Sequence, residues 1–456
     1  MGGSFYLQNT NVSINSSKFF ENQAIEGKGG AIYDYSETDD QYFYSQQNIW
    51  GDNQANEGSL IMFDGVMKNI TFDGDDIKNN FAIEGSTILF DIDSKINFIN
   101  SRFYNNSALE GSCFTCSNIH NLRNNTRVII NNSSFDSNVS LRRGSIYSTH
   151  CSLTIDSSSF SSNKARDGAS IYSIFDENQL HIITNSNFSS NCATNNGGAI
   201  YLDVENTFNF ALSILNCSFS SNQAFSNGGS LFLKYLEDFL DKGLTLEIYN
   251  SKFFNDSCLS NGGSLHFETP MWVPENLGKF FILKSNHFLN CSSVNGNGGA
   301  ISIFNNFLNQ NTTENTNSTS SLSFLIVENI FENCYSDKGG GGSIFWNPGQ
   351  ETNFNHKEMN SILSLNNFST KFDSLYGNFL GTPPFSLCAH IGDFICETKN
   401  DFNVIFKDFE FDIYFLVKDF YENNVKYHQD FEVDRVVVSS SNTTKLSSPF
   451  PRNTSK

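Results

Sequence analysis

The chain repeats one sequence pattern, and its fullest copy reads Asn185-Ser186-Asn187-Phe188-Ser189-Ser190-Asn191-Cys192-Ala193, then Gly197-Gly198-Ala199-Ile200-Tyr201. The pattern is Asn-Ser-x-Phe-x-x-Asn-x-Ala, a short polar gap, and Gly-Gly-Ala/Ser-Ile/Leu. It recurs about eleven times at intervals of 25 to 43 residues. Tandem units of this size indicate a stacked array, because one unit is too small to bury its own apolar face.

Every copy contains two short runs with the composition of β-strands. One precedes the motif Phe, as in Leu153-Thr154-Ile155, and the other follows the glycines, as in Ser230-Leu231-Phe232-Leu233. Both alternate with period two and are bounded by Asn, Gly and Ser. Antiparallel sandwiches would need hairpin turns and would not keep one motif in one register. We therefore predict an all-β fold, a parallel β-helix of about 11–12 coils whose equivalent residues stack about 4.8 Å apart.

Two motif positions are expected to form columns along the rod. The aromatic ring, which buries roughly 150–250 Å², would fill the interior. The Asn three residues later can hydrogen-bond to its counterparts above and below while tolerating a left-handed backbone. The predicted structural ladder comprises Phe19, Asn22, Phe103, Asn106, Phe135, Asn138, Phe160, Asn163, Phe188, Asn191, Phe219 and Asn222. Later copies carry Asp256, Cys291 and Cys334 at the Asn position. No motif residue is assigned a catalytic role.

Together, Gly-Gly-Ala-Ile/Leu and Phe-x-x-Asn resemble the repeat of the chlamydial polymorphic outer membrane proteins and of related protist surface proteins. Both tetrapeptides recur in fixed order over about residues 2–370. The resemblance implies a right-handed β-helix used in surface display and adhesion. It also implies a secretion signal and a C-terminal membrane domain, neither of which is recognisable here. We therefore expect an extracellular or cell-surface location, and a fragment of a longer parent chain or a protein that associates end to end.

Composition and charge divide the chain and limit its partners. We expect a β-helix over residues 1–370, a β-rich cap or further module over 371–438 and a disordered tail over 439–456. A formal net charge of −20 argues against nucleic acid, which is bound by clustered Lys and Arg. Asn-x-Ser/Thr sequons such as those at Asn187 and Asn216 agree weakly with glycosylation and an extracellular location.

The ten cysteines leave two interpretations open. Cys291 and Cys334 occupy the same motif position in consecutive copies, which places them within disulfide range, and Cys388 and Cys396 could close a small loop. The alternative is that each is a buried thiol. The pair Cys113 and Cys116 has no second pair at ligand spacing, so zinc is not expected.

Insertions are expected to leave the rod on one side. The motif aromatic and the second glycine position are always 8 to 11 residues apart, whereas that glycine and the next aromatic are 16 to 32 residues apart. The variable segment follows the post-glycine strand, and such one-sided insertions often form the binding face of a repeat protein. We predict ligand contacts from His266, Trp272 and Trp346, with a host or cell-surface protein or glycan as partner.

The sequence also raises two further functions. Glu57, Glu84 and Glu110 precede the glycine in three consecutive copies and are either solvated turn residues or a weak Ca²⁺ site. Parallel β-helices also include polysaccharide lyases and hydrolases, which need a compact group of acids or Ca²⁺-binding carboxylates. The histidines share no register. The sequence therefore favours a non-catalytic adhesin or display scaffold without a cofactor, with a carbohydrate-active enzyme as the alternative.

Overall fold

The structure, a computed structural model, describes residues 2–38, 40–117, 126–149, 151–175, 179–204, 210–235, 244–270, 281–306, 324–347, 365–369, 379–381, 384–391, 401–404, 413–419 and 444–447. Three parallel sheets of 22, 12 and 11 strands run along the molecule, and each coil contributes to all three. The predicted fold class, a right-handed parallel β-helix, is confirmed.

Each sheet is built from one part of the repeat. The long sheet contains both predicted strands of the unit: Phe5–Gln8, Val12–Asn15, Ile32–Ser36, Tyr42–Gln46, Ile61–Asp73, Ile88–Ile99, Phe114–Ser117, Arg127–Asn131, Ile146–Thr149, Ser152–Asp156, Ile171–Phe175, Gln179–Thr184, Ile200–Val204, Phe210–Leu215, Leu231–Tyr235, Leu244–Tyr249, Leu265–Pro270, Phe281–Lys284, Ile301–Asn306, Phe324–Val327, Ile344–Asn347 and Leu380–Gly381. The Phe sheet carries the motif aromatic: Lys18–Phe20, Ile49–Gly51, Asp76–Lys78, Arg102–Tyr104, Ser134–Asp136, Ser159–Ser161, Asn187–Ser189, Ser218–Ser220, Lys252–Phe254, His287–Leu289, Ile330–Glu332 and Asn367–Ser369. The Ala sheet follows the motif Asn: Gln23–Lys28, Gln54–Glu57, Phe81–Ala82, Ser107–Glu110, Val139–Arg143, Lys164–Ala165, Cys192–Ala193, Gln223–Ala224, Ser257–Cys258, Ser292–Ser293 and Tyr335–Ser336.

The motif aromatics form one stacked column in the interior. Phe160, Phe188 and Phe219 pair in register, are fully buried, and have ring centroids 4.7 and 4.8 Å apart with interplanar angles of 4° and 6°. Leu and Ile side chains from the long sheet complete the core. Because each ring contacts the rings above and below, burial of one coil depends on its neighbours.

The sharp corners use left-handed backbone at one residue before each inward polar side chain. Ser190 has φ of 56° and directly precedes Asn191, and Asn185 has φ of 50° and precedes Ser186. The expectation that the ladder Asn itself takes this conformation is therefore wrong by one position. The preceding residue reverses the chain, and its own side chain is left exposed to solvent.

The two motif glycines have separate roles. Gly197 has φ of 64°, a region that L residues rarely adopt. Gly198 lies against the backbone of the next coil, where a Cβ atom would overlap the carbonyl oxygen of Gly229. The first glycine thus permits the turn, and the second permits the coils to approach.

One disulfide joins neighbouring coils. Cys116 and Cys151 are bonded with a Cα–Cα distance of 6.4 Å. A closed loop of this length stabilises by about 4 kcal/mol if chain entropy dominates. Cys291 and Cys334 are free and buried, so the structure favours the thiol alternative for this pair. Cys396 lies outside the described residues.

The described part of the C-terminal region contains antiparallel strands. Pro384–Ile391 pairs with Ile413–Asp419, and Asp401–Val404 pairs with Thr444–Ser447. Leu380–Gly381 still pairs in parallel with Ile344–Asn347, so the stacked coils continue past the expected boundary at residue 370. Thr444–Ser447 is a strand within the segment expected to be a disordered tail.

We predict that Gly198→Ala destabilises the rod by about 3 kcal/mol or more, because the backbone of the next coil at Gln223 and at Gly229 must move to admit the methyl group. Urea unfolding followed by circular dichroism would measure the loss. Gly74→Ala is the control for backbone strain without close approach: Gly74, unlike Gly198, has positive φ, and a methyl group added there would lie 3.5 Å from the nearest atom, so about 1–2 kcal/mol of backbone strain is expected. Equal losses in the two variants would contradict the close-approach role.

Candidate functional site

The ladder asparagines from Asn53 to Asn222 are fully buried and hydrogen-bonded from coil to coil, and Asn22 at the first coil is partly buried. Asn163 Oδ1 accepts hydrogen bonds from the backbone N–H and the side-chain amide of Asn138, both at 3.1 Å. Asn163 in turn donates from its backbone N–H and its amide to Asn191 Oδ1, and from its amide to the carbonyl oxygen of Phe135. Every polar atom of the side chain is satisfied inside the rod. The same geometry recurs along Asn53, Asn80, Asn106, Asn138, Asn191 and Asn222.

A second polar ladder, which was not predicted from the sequence, lies at the corner before the Phe sheet, at the Ser position of the Asn-Ser-x-Phe pattern. The backbone N–H of Ser133 donates to Ser158 Oγ, and that of Ser158 donates to Ser186 Oγ, both at 3.1 Å. Its position is two residues before the motif aromatic. The occupants are Asn48, Asp75, Ser101, Ser133, Ser158, Ser186, Cys217, Ser251, Asn286, Asn329 and Asn366. Because four residue types alternate here, the signal is weaker than a repeated Asn.

The Asn ladder ends at a carboxyl group. Asp256 Oδ1 accepts hydrogen bonds from the N–H and amide of Asn222 at 2.9 and 3.2 Å, and Oδ2 accepts one from Ser264 Oγ at 3.3 Å. Burial raises the pKa of Asp256 to about 7. The next position is Cys291, whose thiol accepts a hydrogen bond from Ser264. The carboxyl group therefore replaces an amide without breaking the stack.

One interior pair has the residue types of a nucleophile and base but the wrong arrangement. Ser173 Oγ and His181 Nε2 are 2.8 Å apart, and His181 Nδ1 accepts a hydrogen bond from the N–H of Leu153. Nε2 therefore carries the proton and donates to Ser173, which is the reverse of base activation. Burial lowers the pKa of His181 to about 3. The pair satisfies polar groups in the core.

The insertions enter the coil at one point, in the middle of the long sheet. Ile61–Asp73 and Ile88–Ile99 cross this point as continuous strands. In later coils a pair of shorter strands takes the place of one continuous strand. The chain segments between the two strands of such pairs are 205–209, 236–243, 271–280 and 307–323. The flanking strands keep their register with the continuous ones. All insertions are thus anchored on the same side of the rod.

The predicted ligand-binding aromatics have different positions. Trp346 lies within the strand Ile344–Asn347 and is part of the buried core, because it pairs with the inward Ile303. His266 is also a buried strand residue, stacked on Phe232 with centroids 5.2 Å apart. It continues an outer aromatic column through Tyr172 and Tyr201. The interpretation of His266 and Trp346 as exposed loop anchors is wrong, since Trp346 packs in the core and His266 is buried in the outer aromatic column. Trp272 lies outside the described residues.

The three glutamates of the proposed Ca²⁺ alternative have separate partners. Lys28 Nζ is 3.0 Å from Glu57, Asn56 donates to Glu84, and Arg143 is 3.7 Å from Glu110. Surface ion pairs of this kind contribute about 0–1 kcal/mol. Within the described ranges, no group of three or more His, Cys, Asp or Glu side chains is placed to hold a metal ion. The arrangement favours solvated turn residues.

Comparison with known proteins supports the repeat assignment. The family model of the Chlamydia polymorphic membrane protein (Chlamydia_PMP) repeat matches residues 185–203, which confirms the repeat type inferred from the motifs. No curated protein and no solved structure matches the chain. In the part of the chain that the structure describes, no helix is both long enough and apolar enough to span a membrane.

We predict that Asn163→Ala costs about 2–4 kcal/mol, because it leaves the buried backbone N–H and side-chain amide of Asn138 without their acceptor and removes the amide that donates to Phe135 and Asn191. Thermal and urea unfolding would measure the cost. Asn187→Ala, on the exposed outer face of the Phe sheet, should change stability by less than about 0.5 kcal/mol. A small effect at Asn163 would show that the ladder is dispensable.

We predict that Asp256→Asn removes part of the pH dependence of stability. The folded pKa of about 7 exceeds the ordinary 3.8, so the folded chain holds this proton more tightly. The resulting stabilisation is complete below about pH 4 and is lost as the pH rises through 7. As the pH rises from 4 to 8, the free energy of unfolding of the variant should therefore increase by about 2–4 kcal/mol relative to that of the natural chain. Urea unfolding of both proteins at pH 4 and at pH 8 tests this. The same difference in free energy of unfolding at the two pH values would contradict it.

Proposed function

We propose that this chain is a non-catalytic rod displayed outside the cell, where it binds a host or cell-surface protein or glycan through the insertions of the long sheet. The observation that carries the proposal is the common anchoring point of the insertions between Ile200–Val204 and Phe210–Leu215 and at the equivalent places in later coils. Surface segments held by a rigid scaffold are a frequent location of binding residues.

Two further observations support an extracellular rod. The matched repeat is named for a family of polymorphic membrane proteins of Chlamydia, which agrees with a location at a membrane surface. The Cys116–Cys151 disulfide is of a kind that persists in oxidising compartments. Neither the interior His–Ser pair nor the separated glutamates support the alternative that the protein is a carbohydrate-active enzyme.

The coil itself provides a design for removing an insertion. In Ile88–Ile99, Ser94 and Lys95 join the two halves of a continuous strand where other coils have an insertion. When the strand pairings are followed from coil to coil, Asp93 occupies the same position as Pro270, and Ile96 occupies the same position as Phe281. Ser94 and Lys95 therefore correspond to the whole segment 271–280. Replacing residues 271–280 by Ser-Lys should therefore leave the stack intact.

We expect the natural chain to bind a glycan array or cultured animal cells, and the 271–280 replacement to lose at least tenfold in affinity. The double variant Asn187→Ala, Ser189→Ala alters the outer face of the Phe sheet and is the matched control that should bind normally. Circular dichroism and melting temperature verify the fold of both. Full binding by variants with 236–243, 271–280 and 307–323 all replaced would overturn the proposal, as would release of oligosaccharides from a polysaccharide panel.

A further inference from the structure

A different surface of the rod, on the Ala sheet, combines exposed apolar and basic side chains. We call it the Leu141 patch; it comprises Phe81, Ile83, Val139, Leu141, Arg142, Lys164 and Arg166. Register places Phe81, Ser107, Val139 and Lys164 next to one another in four consecutive coils. The N–H of Arg166 donates to the carbonyl oxygen of Arg142, so these two also occupy adjacent coils.

A β-bulge turns the central residues outward. Ala108 pairs with Ser140 and Glu110 pairs with Arg143, so Leu141 and Arg142 together oppose the single residue Leu109. Bulges of this type redirect side chains and are frequent beside functional sites. Leu141 is 70% exposed, the largest exposure of any large apolar side chain among the described residues. The extra residue thus presents an aliphatic side chain that is more exposed than any in the neighbouring coils.

The patch is basic on a strongly acidic protein. The side chains of Arg142 and Arg166 are 59% and 62% exposed, and Lys164 is exposed beside Val139. The whole chain has a net charge of −20. At physiological ionic strength charges act over about 8 Å, so the local cations, rather than the distant acids, set the potential at the patch. Glu110 and Asp167 neutralise part of this charge at distances of 3.8 and 2.9 Å.

We infer that the Leu141 patch binds an acidic polypeptide segment that carries apolar side chains. Carboxylates of such a segment pair with Arg142, Lys164 and Arg166, and its apolar groups cover Leu141 and Phe81. A nucleic acid or sulfated polysaccharide matches the cations alone and leaves the aliphatic surface in water. This site is separate from the insertions and adds a second binding surface to the rod.

The probe for this inference is a short fluorescein-labelled peptide of alternating Glu and Leu residues, with binding to the full chain measured by fluorescence anisotropy. Leu141→Ser and Arg142→Glu should each weaken binding about tenfold or more, and added salt should weaken binding to the natural chain. Leu180→Ser and Lys252→Glu are matched controls, since both are exposed elsewhere and should leave binding unchanged. Because all four side chains are exposed, melting temperatures should stay within a few degrees.

Several outcomes would overturn the inference. Poly-glutamate binding as tightly as the Glu/Leu peptide would show that the apolar groups play no part. Tighter, Arg142-dependent binding of heparin or phosphatidylserine vesicles would assign the patch to a polyanion or a lipid surface. Dimerisation in sedimentation equilibrium that Leu141→Ser abolishes would make it a contact between copies. Loss of binding to the peptide leaves the insertion-dependent assay on cells unaffected, so the two proposals fail independently.

Discussion

Strict register between successive coils is the constraint on which the structure depends. Each strand bonds only to the equivalent strands above and below it, so a slip by one residue would turn Phe188 to solvent and Asn187 inward. The aromatic stack, the asparagine ladder and the glycine contacts all require the same alignment. They therefore reinforce one another, and agreement among local preferences of this kind is typical of sequences that specify a single fold.

The fold and its repeated columns were predictable because identical residues recur at identical positions. Phe160 and Phe188, or Asn163 and Asn191, are visible as columns before any coordinates are known. The second ladder was not, since Asn, Asp, Ser and Cys all meet its single requirement, a side-chain acceptor for one backbone N–H. That position requires a hydrogen-bond acceptor, but it does not require one particular residue.

The place where insertions join the rod was predictable, but the positions of the residues chosen from them were not. Variable spacing after the glycines correctly indicated where insertions join the long sheet. Trp346 and His266 were misassigned because both were counted with the variable segment after the glycines. Each instead belongs to the preceding strand, whose inner and outer faces are both covered there. The Cys116–Cys151 bond was missed because the two residues occupy different positions in the repeat: Cys116 lies in a post-glycine strand, and Cys151 directly precedes the strand Ser152–Asp156 of the next coil.

The hydrogen bonds of the asparagine ladder have a direction. Asn138 donates to Asn163, which donates to Asn191, and no coil reverses this order between Asn53 and Asn222. In this ladder each boundary between neighbouring coils has the same donor and the same acceptor as the next. Duplication or deletion of one complete coil in the gene would consequently recreate a native boundary, whereas an inverted copy would not. Such a rod can change its length by unequal recombination without inventing new packing.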